Sequence, residues 1–493
     1  MPTKFIFVSG GVISGLGKGI TTASIALLLQ NRGYHVTPVK CENYLNLDAG
    51  LINPIEHGDP FLCEDGTEAD MDMGTYEKFL GKNMERHNFV TMGQIYKAVI
   101  DRERNFGYEG EDVEAIPHVT DEIIKRIKEA GEKENAEIVV IELGGTAGEY
   151  QNALYYEASR ILSRNKKNSV VHVHVSYLPT PVHLGEPKTK PTQLSVRTLN
   201  SMGIQPDFIV TRSEKPMDAR RRARFALFCN VEPENVIDSI DLPTPYETPL
   251  TLAKQKMDEK ILDMLGLPYR ALNISAWTEM VGSVKVKKQK MVTIAVVGKY
   301  FATGEYQLRD SYAALMDAID HSAWRLGIRA RIQWIQAEKL EKEDLGDLKD
   351  ADGIVVPIGW GARGVEGKIK AIAYARENKI PYLGLCYGMQ LAVVEYARNV
   401  VGLLGAHTTE CDADTAHPVI HTNIGQDENL LRRAYGGTMR LGRWECRVKR
   451  GSIADSAYTA SNAYDKPGEF IVGERHRHRY EFNDAYTKQL EEA

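Results

Sequence analysis

The chain opens on an apolar run, KFIFVSGG, that ends in glycines and reads as a buried strand. Behind it, VISGLGKGI is a glycine-rich turn, and Thr21 to Asn31 is a helix that turns Leu27 to Leu29 toward a core. A second strand, HVTPVK, follows Gly33, and further apolar strands are predicted at AEIVVIEL, SVVHVHVSYL and PDFIVTR, with helical or loop stretches between them. Strands alternating with helices predict a mostly parallel, doubly wound α/β sheet. The basic run in DARRRARFALFCN is read as leading into another apolar strand.

The pattern changes between Thr278 and Lys290, where VGSVKVKKQK is polar and basic. MVTIAVVGKY then starts a fresh strand and turn, and RARIQWIQA, ADGIVVPIGW and KIPYLGLCYGMQ continue a second series. The expected organisation is a first domain over 1–270, a linker over 271–290 and a second doubly wound α/β domain over 291–493.

A length of 493 residues agrees with two or more domains. Hydrophobic residues at 43% and charged residues at 26% are ordinary for a globular protein. A net charge of -6 argues against a general nucleic-acid binder, without excluding local phosphate pockets. No apolar run reaches the roughly 20 residues that span a bilayer, and the first strand is too short to serve as a signal peptide. Six cysteines without a CxxC pair predict a reducing, cytoplasmic compartment.

The turn from Gly10 to Gly19 ends a strand and opens a helix, where backbone N–H groups cradle phosphates and Lys18 reaches the outer ones. It departs from GxxxxGK[ST]: Val12 replaces the first Gly, and Gly19 stands where Ser or Thr would help hold magnesium. Carboxylates must then serve. Glu64, Asp65, Glu68, Asp70 and Asp72 form a dense run, most of which reads as a solvated face. Glu142 is more specific, because it ends a strongly apolar strand just before a Gly-Gly turn, where open α/β sheets bind ligands. Lys188 and Lys190, beside Thr192 and Gln193 and stiffened by Pro191, suit a second polyphosphate, and Arg220 to Arg222 and Arg224 add further cations.

In the second domain Cys386 lies at a strand-to-helix turn between Gly384 and Gly388, the arrangement that exposes a nucleophilic thiol at a helix N-terminus. Upstream, VVPIGWGARGVEGK offers N–H groups to an oxyanion.

Six segments of the first domain, FVSGGVISGLGKGI, NYLNLDAGLINPIEHGDPF, EDGTEADMDMGTYE, ELGGTAGE, KTKPTQLS and ALFCNV, together resemble the synthetase domain of the CTP synthase family. ENKIPYLGLCYGMQ, GGTMRLG and ERHRHRYEFN resemble its class I glutamine amidotransferase domain. The resemblance implies a P-loop-like amidoligase that phosphorylates the uracil O4 of UTP with ATP·Mg²⁺ and displaces the phosphate with ammonia delivered by a sheltered path. It assigns ATP to Ser14, Gly15, Leu16, Gly17, Lys18, Gly19, Ile20 and Asp72, with Lys18 and Lys40 on the phosphates and Asp72 and Glu142 on magnesium. UTP or product CTP falls to Ser14, Glu149, Tyr150, Gln151, Lys188, Thr189, Lys190, Pro191, Thr192, Gln193 and Arg224. Cys386 attacks the glutamine amide, and Gly359, Gln390, Glu410, Arg479 and Tyr480 hold the amino acid. A homotetramer with GTP as a candidate activator is implied as well.

The chain departs from the family pattern at Cys41-Glu42-Asn43, where L-D-P is usual, and at Glu149-Tyr150-Gln151, where D-I-E is usual. These changes leave open an amidoligase acting on another nucleotide, or a non-catalytic nucleotide-binding assembly subunit. Three features predict a defective glutaminase, with glutamine hydrolysis unlikely and free ammonia left to serve the synthetase half. The general base that the family carries in a terminal F-H-P-E motif is absent from the sequence as it ends at YTKQLEEA, as in a truncated or degenerate glutaminase, and neither His476 nor His478 matches it. Ile358 replaces an oxyanion-loop glycine, and Tyr387 follows the nucleophile where Leu is usual.

Overall fold

The computed structural model describes residues 2–54, 58–165, 169–183, 185–285, 290–300, 302–303, 306–307, 309–342, 345–423 and 425–493. The chain forms two compact units, one of residues 1–48 and 72–282, the other of 49–71 and 283–493.

The first unit is built on seven parallel strands: β1 (Lys4–Gly11), β2 (Val36–Glu42), β3 (Phe89–Thr91), β4 (Ile138–Leu143), β5 (Val170–Tyr177), β6 (Phe208–Ser213) and β7 (Val236–Ile240). Their order is β3-β2-β4-β1-β5-β6-β7. β4 is buried along its whole length, as expected when helices cover both faces of a parallel sheet. Phe7, Val39 and Ile141 pack one face of these central strands against Ile123, Ile127 and Tyr155.

The expected strands are present, and the first helix, α1, runs Lys18–Asn31. RRRARFALFC is not the approach to a strand but a helix, Ala219–Cys229, whose N-terminus is capped by Asp218 accepting from the Arg221 N–H at 2.8 Å. Arg, Ala and Leu are strong helix formers, and the cap starts them. Two short strands, β3 and β7, carry too few apolar residues to stand out in the sequence.

The second unit has a four-stranded parallel sheet of β8 (Met291–Gly298), β9 (Arg329–Gln336), β10 (Gly353–Val356) and β11 (Tyr382–Gly384), in the order β9-β8-β10-β11. Its core joins Val297, Ile335, Ile354 and Val356 to Leu391 and Val394 of the helix after Cys386. A long hairpin pairs Arg440–Arg447 with Ile471–His478. The stretch 271–290 contains a helix, Ser275–Lys285, and residues 286–289 lie outside the described residues.

Residues 49–71 pack within the second unit, so the acidic run is not a solvated face throughout. Glu68 is buried and takes the Arg477 guanidinium at 2.7 Å, while Glu64 pairs with Arg443 at 2.6 Å. Among the described residues no helix is long and apolar enough to cross a membrane.

Candidate functional site

In the first unit the glycine turn leaves β1 at the carboxyl edge of the sheet and enters α1 through Gly15 and Gly17, both at positive φ. Val12 also lies at φ 83°, a left-handed conformation that strains a β-branched residue and that the replaced glycine would adopt freely. Ser14 and Gly15 are exposed, Leu16 is buried, and Ile20 begins the helix beside Lys18 and Gly19. Lys18 donates to the Gly145 carbonyl at 2.8 Å, which lays its side chain across the turn, and burial lowers its pKa.

Strand register assembles the charges. Lys40 on β2 stands opposite Glu142 on β4, and its ammonium bonds Glu142 at 2.7 Å, Glu42 at 3.2 Å and Asp72. Asp72 arrives from the first turn of α2 (Asp72–Leu80). A Cβ on Gly19 would lie 1.9 Å from Asp72 Oδ1, so the missing side chain is what lets this carboxylate stand beside the turn. The Asp72 carboxylate therefore takes the place where a P-loop hydroxyl would be. Tyr76, one helical turn further on, donates its hydroxyl to Glu142. Burial pushes the Glu142 carboxyl up, reinforced by Asp72. For Asp72 burial acts in the same direction, but the Lys40 charge and hydrogen bond outweigh it and hold the carboxyl low.

Sequence reasoning missed Glu42 and Tyr76 as members of this cluster. A signal for Glu42 existed, since residues two apart on a strand share a face and Glu42 is two beyond Lys40. Tyr76 had a weaker one, the i, i+4 spacing from Asp72 on a helix.

The two places where the chain departs from the family pattern touch: Asn43 donates to Glu149 at 3.0 Å, and Glu149 also accepts from the Thr146 N–H and hydroxyl at 2.6 and 2.7 Å. Tyr150 is fully exposed, with Gln151 exposed beside it. Lys188 pairs with Glu186. Lys190 and Pro191 open α3 (Lys190–Ser201) behind Thr189. Lys190 and Arg224 both reach the ring of Phe228, at 5.7 and 5.8 Å, so two predicted phosphate cations from different helices converge. Thr192 is buried and donates to the Tyr177 carbonyl at 3.0 Å. Gln193 donates to Thr189 at 3.0 Å, and its buried Oε1 has no partner among the described residues.

In the second unit Cys386 occupies a strained turn, φ 49° and ψ -103°, before α4 (Tyr387–Tyr396). A Cβ on Gly384 or Gly388 would strike backbone at 2.6 and 1.9 Å, so both glycines are needed to close the elbow. The Cys386 thiol donates to the Arg477 carbonyl at 3.7 Å. Burial pushes it up to about 11, against the Tyr387 N–H, which lowers it. Arg477, Arg479, Tyr480, Glu410 and Trp360 line a cavity of about 350 Å³. Gln390 donates to the Tyr480 carbonyl at 2.8 Å, and its buried Oε1 also has no partner among the described residues. Gly359 leaves its would-be Cβ 3.1 Å from the Lys299 and Lys368 side chains. Ile358 turns into an apolar cluster of Val296, Tyr312 and Met316, which accounts for a side chain at that position.

His476 and His478 bond each other at 2.9 Å, and His478 bonds the Tyr480 carbonyl. Among the described residues no group of three or more His, Cys, Asp or Glu is arranged to hold a metal by itself.

The family described as CTP synthase N-terminus matches residues 4–267, and glutamine amidotransferase class-I matches 307–492. The CTP synthase of Geobacillus kaustophilus (strain HTA426) is 45% identical over 494 residues, covering 99% of this chain and 89% of the relative. The CTP synthase of Thermococcus kodakarensis is 46% identical over 492 residues, covering 100% of this chain and 89% of the relative. Among solved structures, the glutaminase domain of Trypanosoma brucei CTPS with bound acivicin aligns at 36% identity and TM-score 0.34, over 41% of this chain and 72% of that one. With such identity sustained along essentially its whole length, the chain belongs to the CTP synthase family.

Proposed function

We propose that the chain converts UTP to CTP with ATP, using ammonia released from glutamine, and that its residues divide this work as follows. Lys18 and the N–H groups of the Ser14–Ile20 turn hold the triphosphate of ATP. Lys40, Asp72 and Glu142 form the centre where charge is neutralised as the γ-phosphoryl passes to the uracil O4. Ammonia then adds at C4 as the phosphate leaves with its electron pair, and the added nitrogen gives up a proton.

The observation that carries this reading is the Lys40 ammonium, a cation already paired with both the Asp72 and Glu142 carboxylates, whose charges Lys18 also feels. Two oxygen-donor carboxylates are the kind of ligand that suits Mg²⁺. Bound there, Mg²⁺ would supply positive charge against the phosphates. Asp72 and Glu142 are the residues that would hold it, and Lys40 would swing to the phosphates.

UTP binding falls to Lys188, Thr189, Lys190, Thr192, Gln193 and Arg224. The converging Lys190 and Arg224 cations and the orphaned Gln193 oxygen support this, the second as an acceptor awaiting a donor. Against the expectation of a defective glutaminase, family membership supports glutamine as the nitrogen source: in the other unit Cys386 attacks the side-chain carbonyl of glutamine, ammonia leaves, and water releases glutamate from the thioester. Glu410, Arg479, Tyr480, Gln390 and Gly359 are assigned to hold the amino acid; that Glu410, Arg479 and Tyr480 line one cavity supports the first three. A homotetramer and activation by GTP follow from the family resemblance. The Cys386→Ala variant tests the division of labour: glutamine-driven CTP formation is lost and ammonium-driven formation persists. Survival of the glutamine-driven reaction would remove Cys386 from the chemistry.

A further inference from the structure

Tyr387 directly follows Cys386, at a position where the family usually carries an apolar side chain, yet its hydroxyl is fully committed. The residue is 1% exposed, its ring centroid lies 5.2 and 5.3 Å from the buried ammonium groups of Lys299 and Lys368, and neither it nor Cys386 is among the residues that line the cavity. The hydroxyl bonds the Gly361 carbonyl at 2.9 Å and the Cys411 sulfur at 3.1 Å. A hydroxyl has one proton, so donation to Gly361 makes the Cys411 S–H the donor to the tyrosine oxygen.

Gly361 is held from its other side too. Its N–H donates to Glu410 at 2.6 Å, and Glu410 precedes Cys411 in the chain. The contacts close a ring: Cys411 to Tyr387, Tyr387 to Gly361, Gly361 to Glu410, and back along one peptide bond. Lys299 adds a second donor to the Gly361 carbonyl at 3.0 Å and also takes that of Trp360. Gly361 sits at φ 68°, where little but such contacts fixes a glycine. What hangs on this glycine faces the cavity: Trp360, which carries the Arg477 guanidinium on its ring at 5.4 Å, and Glu410, whose carboxylate lines the wall. The carbonyl of that same Arg477 receives the Cys386 thiol.

We infer that Tyr387 is a positioning residue for glutamine hydrolysis, its hydroxyl fixing Gly361 so that Trp360 and Glu410 are presented to the amide beside Cys386. The inference rests on the reading of Cys386 as the nucleophile.

Tyr387→Phe removes only the hydroxyl. The test is covalent capture of Cys386 by a chloroketone analogue of glutamine, in which the thiolate sulfur bonds the methylene carbon and chloride leaves. Iodoacetamide, which has no amino-acid portion, serves as the control, and both adducts are read at Cys386 by peptide mass spectrometry. Loss of one buried hydrogen bond predicts that the second-order rate with the chloroketone falls about tenfold, with most of the change in the half-saturating concentration. The iodoacetamide rate stays within about twofold, because the thiol itself is untouched. Equal chloroketone rates in Tyr387→Phe and the parent chain would overturn the role of Tyr387 alone. An equal fall with both reagents would show a disturbed elbow and overturn it as well. Failure of the parent chain to label at Cys386 would overturn the nucleophile reading beneath it. Tyr387→Leu, which also removes the ring, should fall further with the chloroketone; a Leu variant that outperforms Phe would count against the hydroxyl.

Discussion

Gly19→Ala is the sharpest perturbation of the nucleotide centre. The new methyl group would lie 1.9 Å from Asp72 Oδ1, 2.6 Å from its Cγ and 3.2 Å from Oδ2. An unstrained contact needs roughly 3.5 Å, so the carboxylate must retreat by more than about 1 Å. Asp72 opens a helix and its side chain is about one-third exposed, so it can rotate toward solvent instead of unfolding the site. The stability loss should therefore stay at the lower end of the 1–3 kcal/mol typical of overpacking, about 1 kcal/mol. Activity should suffer more, because a displacement of about 1 Å at a reacting centre costs on the order of 100-fold. The assay is ammonium-driven CTP formation at saturating UTP across a Mg²⁺ titration, beside a thermal melt. The expected result is a turnover loss near 100-fold, a higher Mg²⁺ requirement and a melt shifted by only a few degrees. Turnover within twofold of the parent chain would refute the argument that Asp72 stands in the place of the P-loop hydroxyl.

Glu142→Ala should lower CTP formation at least 100-fold with either nitrogen source, and retention of a tenth of the activity would remove Glu142 from the centre. Arg224→Ala should raise the KM for UTP about tenfold with little change in kcat, as loss of one charge-assisted phosphate contact predicts; an unchanged KM would contradict it. The pH dependence of Cys386 follows from its raised pKa. Burial favours the neutral thiol, so the thiolate is the minority species at pH 7 and grows as pH rises toward about 11. Alkylation of Cys386 by iodoacetamide in the free protein should then climb about tenfold per pH unit from 7 to 10, and a plateau by pH 8.5 would show a thiolate stabilised by groups outside this account.

Much of this was legible in the sequence because the signals are contiguous. An apolar run meeting glycines announces β1 and its turn, and a carboxylate ending the run IVVIEL announces Glu142 at a strand end. Lys40 and Asp72 lie 32 residues apart, and only the register of β2 against β4 and the approach of α2 bring them to one point. Gly19 shows the difference: its departure from the motif is visible in the sequence, but only the fold brings Asp72 into the space it leaves. The basic helix at 219–229 is hard to read from sequence because a run of arginines hides the capping aspartate that starts it. Residues 49–71 lie between predicted ATP ligands in the sequence, yet Glu64 and Glu68 find their arginines more than 370 positions away. No local pattern encodes such pairings. Tyr387 stands out in the sequence as a departure, but its meaning lies in a loop carbonyl 26 residues upstream.

The most direct test of the central claim is conversion of UTP to CTP by this chain with ATP and Mg²⁺, followed by absorbance, once with ammonium and once with glutamine. The account predicts CTP in both, with the glutamine-driven rate alone abolished by prior alkylation of Cys386. Absence of CTP with ammonium, at concentrations that saturate a bound nucleotide, would contradict it.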